Sequence, residues 1–135
     1  MKTNKIVYWV STVILSLMMI NSAVMYFSSP EVKQGFTHLG FPDYFRVELG
    51  VLKLIGAILL LAPVGRSVKE WTYSGFAITF LSAFIAHTAS GDPVSARIMP
   101  LVFLFILAGS YITFHRKTII KNNYENVGNH PEHAA

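Results

Sequence analysis

Four apolar runs, Ile6–Phe27, Tyr44–Ala62, Trp71–Ala89 and Ile98–Phe114, divide the chain. Each approaches the roughly 17–25 apolar residues that cross a bilayer as a helix. The joints between them, "SSPEVKQGFTHLGFPD", "PVGRSVKE" and "SGDPVSAR", carry the Gly, Pro, Ser and charge that interrupt helices. This pattern predicts an all-α fold: a four-helix transmembrane bundle running up-down-up-down, forming one domain over residues 1–117. The polar stretch 118–135 is expected to be disordered. The first run follows lysines, as a signal peptide does. Its apolar core exceeds the usual 7–15 residues, roughly, and "NSA" is a poor cleavage site, so an uncleaved anchor is expected.

Composition strengthens this picture. Only 13% of residues are charged, where a soluble domain carries about a quarter, and mean hydropathy is +0.47. The net charge of +4 is spread over the ends of the apolar runs, which argues against nucleic acid and for a lipid bilayer as the surrounding partner. Lys2 and Lys5, then Arg66 and Lys69, then Arg116, Lys117 and Lys121 fall on one side of the four-span arrangement. Positive charge collects in the cytoplasm, so both termini are expected inside and the Lys33 and Asp92 joints outside. Trp9, Trp71, Tyr73 and Tyr111 fall at the same inner ends, where aromatic rings favour the headgroup layer. The expected location is a membrane, crossed several times.

On that topology the polar residues of the spans gather in the outer half. Asn21 lies about 9 Å below the outer end of span one and Lys53 roughly 12 Å deep in span two. Arg46, Glu48, His87 and Arg97 lie near the outer surface, while the inner halves read as almost purely apolar. Arg46 and Arg97 are long enough to snorkel to headgroups. Lys53 is too deep for that and demands a partner: Glu48 from another span's environment, Asn21, or a ligand. Arg46, Gly50, Lys53 and Ala57 share one face of span two; Gly75, Thr79, Ala83 and His87 share one face of span three. Setting these stripes against each other puts a pocket between them. Its candidate residues are Asn21, Glu48, Lys53, His87 and Arg97, with Arg46, Thr79 and Asp92 secondary. Asp92-Pro93 also reads simply as the turn into span four, after Gly91 breaks span three.

The chemistry has firm limits. No cysteine is present, which excludes thiol, iron–sulfur and Cys-type zinc chemistry. A bis-histidine haem needs two ligands at one depth, but His87 is outer and His115 inner, and His38 sits in a loop beside Gly40. No HxxxH lies in the spans, no metal site is expected, and the tail "HPEH" reads as a disordered tract. Neither a Walker loop nor GxSxG nor GxGxxG occurs, so no catalytic residue is assigned.

The stretch "GFTHLGFPDYFRVELGVLKLIGAILLLAPVGRSVKEWTYSGFAITFLSAFIAHTASGD" resembles the core of the DoxX-like membrane family. The marks are "LGFP" before span two, "G..K..GA..LL.P" within it, and "EW.Y.GF" followed by "A...H...GD" in span three; the likeness covers roughly residues 6–114. The resemblance implies a four-helix bundle in the bacterial plasma membrane, in a family named for the small membrane subunit of a thiosulfate:quinone oxidoreductase. Related proteins often carry an acid near the position of Lys53. Many close members carry Asp where Thr79 stands here, a departure that removes a carboxylate two turns below His87.

Three functions fit. The favoured one is a non-enzymatic membrane helper, a partner subunit or assembly factor, acting with another membrane protein or as a homo-oligomer and using no cofactor. The alternative is a quinone-linked redox subunit, with Lys53, His87 and Asn21 bonding a quinone and His87 donating a proton. A small-solute transporter ranks below both, since neither inverted repeats nor broken helices are visible.

Overall fold

The computed structural model describes residues 2–129. Five helices make up the regular structure among the described residues: α1 (Lys2–Ser28), α2 (Pro30–His38), α3 (Asp43–Leu61), α4 (Arg66–Ala89) and α5 (Val94–Asn129). α1 packs along α3 on one side and α5 on the other, and α4 packs along α5. The α3–α4 seam is much thinner, and α2 lies across the ends of α1 and α3.

Two differences from the sequence reading stand out. The first joint contains the helix α2, which starts as helices do. Ser29 caps it by accepting from the Val32 N–H at 3.4 Å, Pro30 follows in the first turn, and Glu31 sits near the positive end of the dipole. The second difference is α5, which continues to Asn129 through residues expected to form a disordered tail. Apolar character ends near Phe114, but the helix does not. Lys121 and Glu125 pair one turn apart at 3.6 Å, supporting the extension. The "HPEH" segment and the rest of the tail lie outside the described residues.

The helices turn apolar side chains outward as much as inward. α1 and α5 are long and apolar enough to cross a membrane, yet in their most apolar windows only 28% and 22% of residues are buried. The core helix of a soluble protein would hide such a window. α3 falls short of the same criterion because Asp43, Arg46, Glu48 and Lys53 share its 19 residues. Trp71 is 81% exposed and Trp9 lies outward too, as an interfacial position requires. Tyr73 does not join that belt. It is 3% exposed, in the core with Leu15, Met19, Ala57, Leu60, Phe76, Phe80 and Leu107.

At Gly56, α3 lies directly against the Phe76 ring of α4. A Cβ there would fall 2.5 Å from the ring of buried Phe76. Gly56→Val is therefore expected to cost about 1–3 kcal/mol by overpacking, read as a lower melting temperature in detergent. The added change Phe76→Leu should return part of it; no recovery would place the strain elsewhere.

Candidate functional site

Two helix ends of identical construction meet at one end of the molecule. Leu39 caps the end of α2 and Ser90 the end of α4, and the next residues, Gly40 and Gly91, take φ of +82° and +71°. Only glycine adopts that left-handed conformation cheaply. In each turn an N–H reaches back across the helix end: Phe41 to the Phe36 carbonyl at 2.9 Å, and Asp92 to the His87 carbonyl at 3.1 Å. This is the Schellman arrangement, which brings the third-last helical residue against the second residue past the cap. In α2 the paired side chains are Phe36 and Phe41, with ring centroids 6.0 Å apart. In α4 the same geometry sets the His87 Nδ1 2.6 Å from Asp92 Oδ2.

Asp92 therefore does more than turn the chain. Its second oxygen, Oδ1, lies 2.8 Å from His38 Nε2, so one carboxylate ties the end of α2 to the end of α4. His38 is the last residue of α2, not a loop residue. Arg97 Nε donates to the Asp92 main-chain carbonyl at 2.6 Å and steadies the start of α5. The hydrogen bonds from His87 and then His38 hold the Asp92 carboxyl below the usual carboxylate range.

Beneath α2 lies a cavity of about 710 Å³. Its walls come from Tyr26 of α1, Phe36 of α2 and Leu39 at its cap, Phe45 and Leu49 of α3, and Thr79, Ala83 and His87 of α4. A second groove of about 390 Å³ runs down the α3–α4 seam past Lys53, Trp71 and Gly75. The two share Leu49 and Thr79 at their boundary. His87 and Lys53 thus border adjoining spaces, not the same one.

The remaining sequence candidates sort differently from expectation. The stripe of Arg46, Gly50, Lys53 and Ala57 is buried, but it faces α1 and not the small stripe of α4. Lys53 is 7% exposed, donates to Ser22 Oγ at 2.9 Å and sits 3.8 Å from the Tyr26 ring centroid. Its partners are a hydroxyl and an aromatic face in place of Glu48 or Asn21. Arg46 does not snorkel either. Its guanidinium turns inward to the Tyr26 carbonyl and to Asp43, 2.9 Å away. Asn21 is exposed, with only Met25 Sδ at 4.0 Å, and Glu48 is exposed with no ion pair among the described residues. Thr79 donates back to the Gly75 carbonyl at 2.8 Å.

A second polar cluster occupies the other end, where the spans read as apolar. Thr12 and Ser110 hydroxyls meet at 2.7 Å, and Tyr73 reaches Ser110 at 2.8 Å. Lys69 is buried beside them, donating to Tyr8 and to the Leu60 carbonyl near the end of α3. A cation there suits the negative end of the helix dipole. Glu70 joins Tyr111 at 3.0 Å and His115 at 2.9 Å. Hydroxyl residues barely lower hydropathy, so this cluster left no trace in the apolar pattern.

A chain all-helical over its described residues, with membrane-length apolar helices and outward-facing apolar side chains, belongs to the membrane proteins. The model of the DoxX-like family matches residues 10–110, and the chain is a member of that family. No curated protein and no solved structure matches it.

Proposed function

We propose that this DoxX-like membrane protein crosses the bacterial plasma membrane four times, with both termini in the cytoplasm, and serves as a non-enzymatic helper for another membrane protein. The observation that carries this reading is the open seam between α3 and α4. Gly75 is exposed there with nothing within 4 Å of where its Cβ would stand, and Thr79 and Ala83 continue the small face above it. Small residues let membrane helices approach closely, so the seam suits a helix from a partner subunit or a second copy. A photo-crosslinking residue at Gly75 should capture a protein in the native membrane. Adducts with lipid alone would reject the helper reading.

The topology rests on the lysine and arginine distribution. It is also supported by α5, whose 36 residues extend about 54 Å, well beyond a bilayer core of about 30 Å. The surplus at its end carries Arg116, Lys117 and Lys121. A reporter fused after Ala135 is expected to be active in the cytoplasm; activity only in the periplasm would overturn the orientation.

One observation favours the second reading, a subunit that binds a quinone or another small ligand. The cavity under α2 is large, aromatic and walled on one side by His87. Extraction of protein purified in mild detergent should then release a stoichiometric ring compound, and its absence would count against this reading.

A further inference from the structure

The cavity under α2 has a polar wall whose hydrogen-bonding sense is fixed. Asp92 keeps its charge because His87 and His38 both bond it, so its oxygens only accept. Each imidazole must therefore place a proton on the nitrogen facing it. For His87 that nitrogen is Nδ1, 2.6 Å away. In the neutral ring the other nitrogen, Nε2, then carries a lone pair. It has no hydrogen-bond partner among the described residues, and His87 lines the cavity. The opposite walls are apolar and aromatic: Phe36, Phe41 and Phe45 lie within 6.4 Å of one another, centroid to centroid.

Resting on the reading of this cavity as a ligand site, we infer that it takes an amphiphile whose headgroup donates a hydroxyl proton to His87 Nε2, with its apolar body among the phenylalanine rings. Asp92 is a positioning residue: it fixes which nitrogen accepts. A headgroup offering only a carbonyl or ether oxygen would meet lone pair with lone pair, so of the ring compounds in that reading a quinol or alcohol fits and an oxidised quinone does not. The volume of about 710 Å³ accommodates a ring, and the adjoining groove beyond Thr79 gives a tail a route along the α3–α4 seam.

The test uses the full chain in lipid nanodiscs at pH 9, well above the ordinary imidazole range of about 6.5. The probes are 4-octylbenzyl alcohol and its methyl ether, in which a methyl group replaces the hydroxyl proton. The alcohol should bind about tenfold more tightly, the worth of one hydrogen bond, and should move the Nε2 nitrogen resonance of His87. In His87→Phe, which keeps a ring in place, the preference for the alcohol over the ether should vanish. Ala83→Trp, which fills the cavity, should abolish both. Equal affinities in the parent protein, or an alcohol preference that survives in His87→Phe, overturn the inference. If both probes bind equally and Ala83→Trp removes them, the cavity reading stands and the hydroxyl rule alone falls. If neither probe binds, both fall.

Discussion

Replacing Lys53 with leucine is expected to leave the protein as stable as the parent or more so, by up to about 4 kcal/mol, because exchanging a buried charge for a packed apolar side chain is often neutral or favourable. From sequence alone the opposite follows: a partner carboxylate would be left unpaired and the variant would melt early. The geometry reverses the sign. Lys53 is held by the Ser22 hydroxyl at 2.9 Å and the Tyr26 ring at 3.8 Å, and no carboxylate is left behind when the cation goes. The freed hydroxyl can turn to a carbonyl one turn back in its own helix, as membrane serines do. Ser22→Ala in the parent should instead cost about 1–3 kcal/mol, since it strips a buried cation of its hydrogen bond. With leucine already at position 53, the same serine change should cost little. The two changes therefore couple, and the coupling is the size of the interaction. Melting temperatures of the four proteins in one detergent provide the check. An early-melting Lys53→Leu would show a carboxylate or ligand partner that the folded chain keeps hidden.

Why the long helices were legible and their partners were not follows from what periodicity records. Apolar runs locate α1, α3, α4 and the first half of α5 because burial in lipid and burial in protein both demand them. The stripe of Arg46, Gly50 and Lys53 correctly marks a buried face, but a face has no address: nothing in its spacing says α1 in place of α4. α2 is masked by the Gly, Pro and Ser of its joint, which signal an interruption of helix. The Ser29–Pro30–Glu31 start and the Val32–Phe36 spacing were there to be read as a short helix. Half of the Asp92 arrangement was equally legible. A helix ending His-Thr-Ala-Ser-Gly-Asp places the histidine and the acid on the two positions that a Schellman turn joins. The arrival of His38 on the same carboxylate was not, because it depends on α2 folding back across the bundle. Asn21 and Glu48 lie exposed, apart from the buried stripe, because depth along a helix says nothing about rotation around it.

Removing the Asp92 carboxylate should release α2. In Asp92→Ala, amide exchange across residues 30–41 is expected to quicken several-fold, while the inner ends of α1 and α5 keep their protection. The reason is the small size of what otherwise holds α2. Its contacts with α1 and α3 are few, and its polar tie to α4 is the bond from His38. The aromatic group of Phe36, Phe41 and Phe45 remains, so the helix should loosen without the fold being lost. The same tie gives a pH signature with a definite sign. The folded protein holds the Asp92 carboxyl below the ordinary value, first through His87 and then through His38. Such a group adds stability above its unfolded pKa, about 3.9 for an aspartate. That stability is lost as pH falls through the depressed value. Protection of α2 should therefore hold from neutral pH down through mild acid and fail only below the usual carboxylate range. In Asp92→Asn that acid step should vanish, leaving α2 equally loose on both sides of it. If α2 exchanges at the same rate in parent and Asp92→Ala proteins, the carboxylate bridge does not hold the helix, and the aromatic cluster alone secures the roof of the cavity.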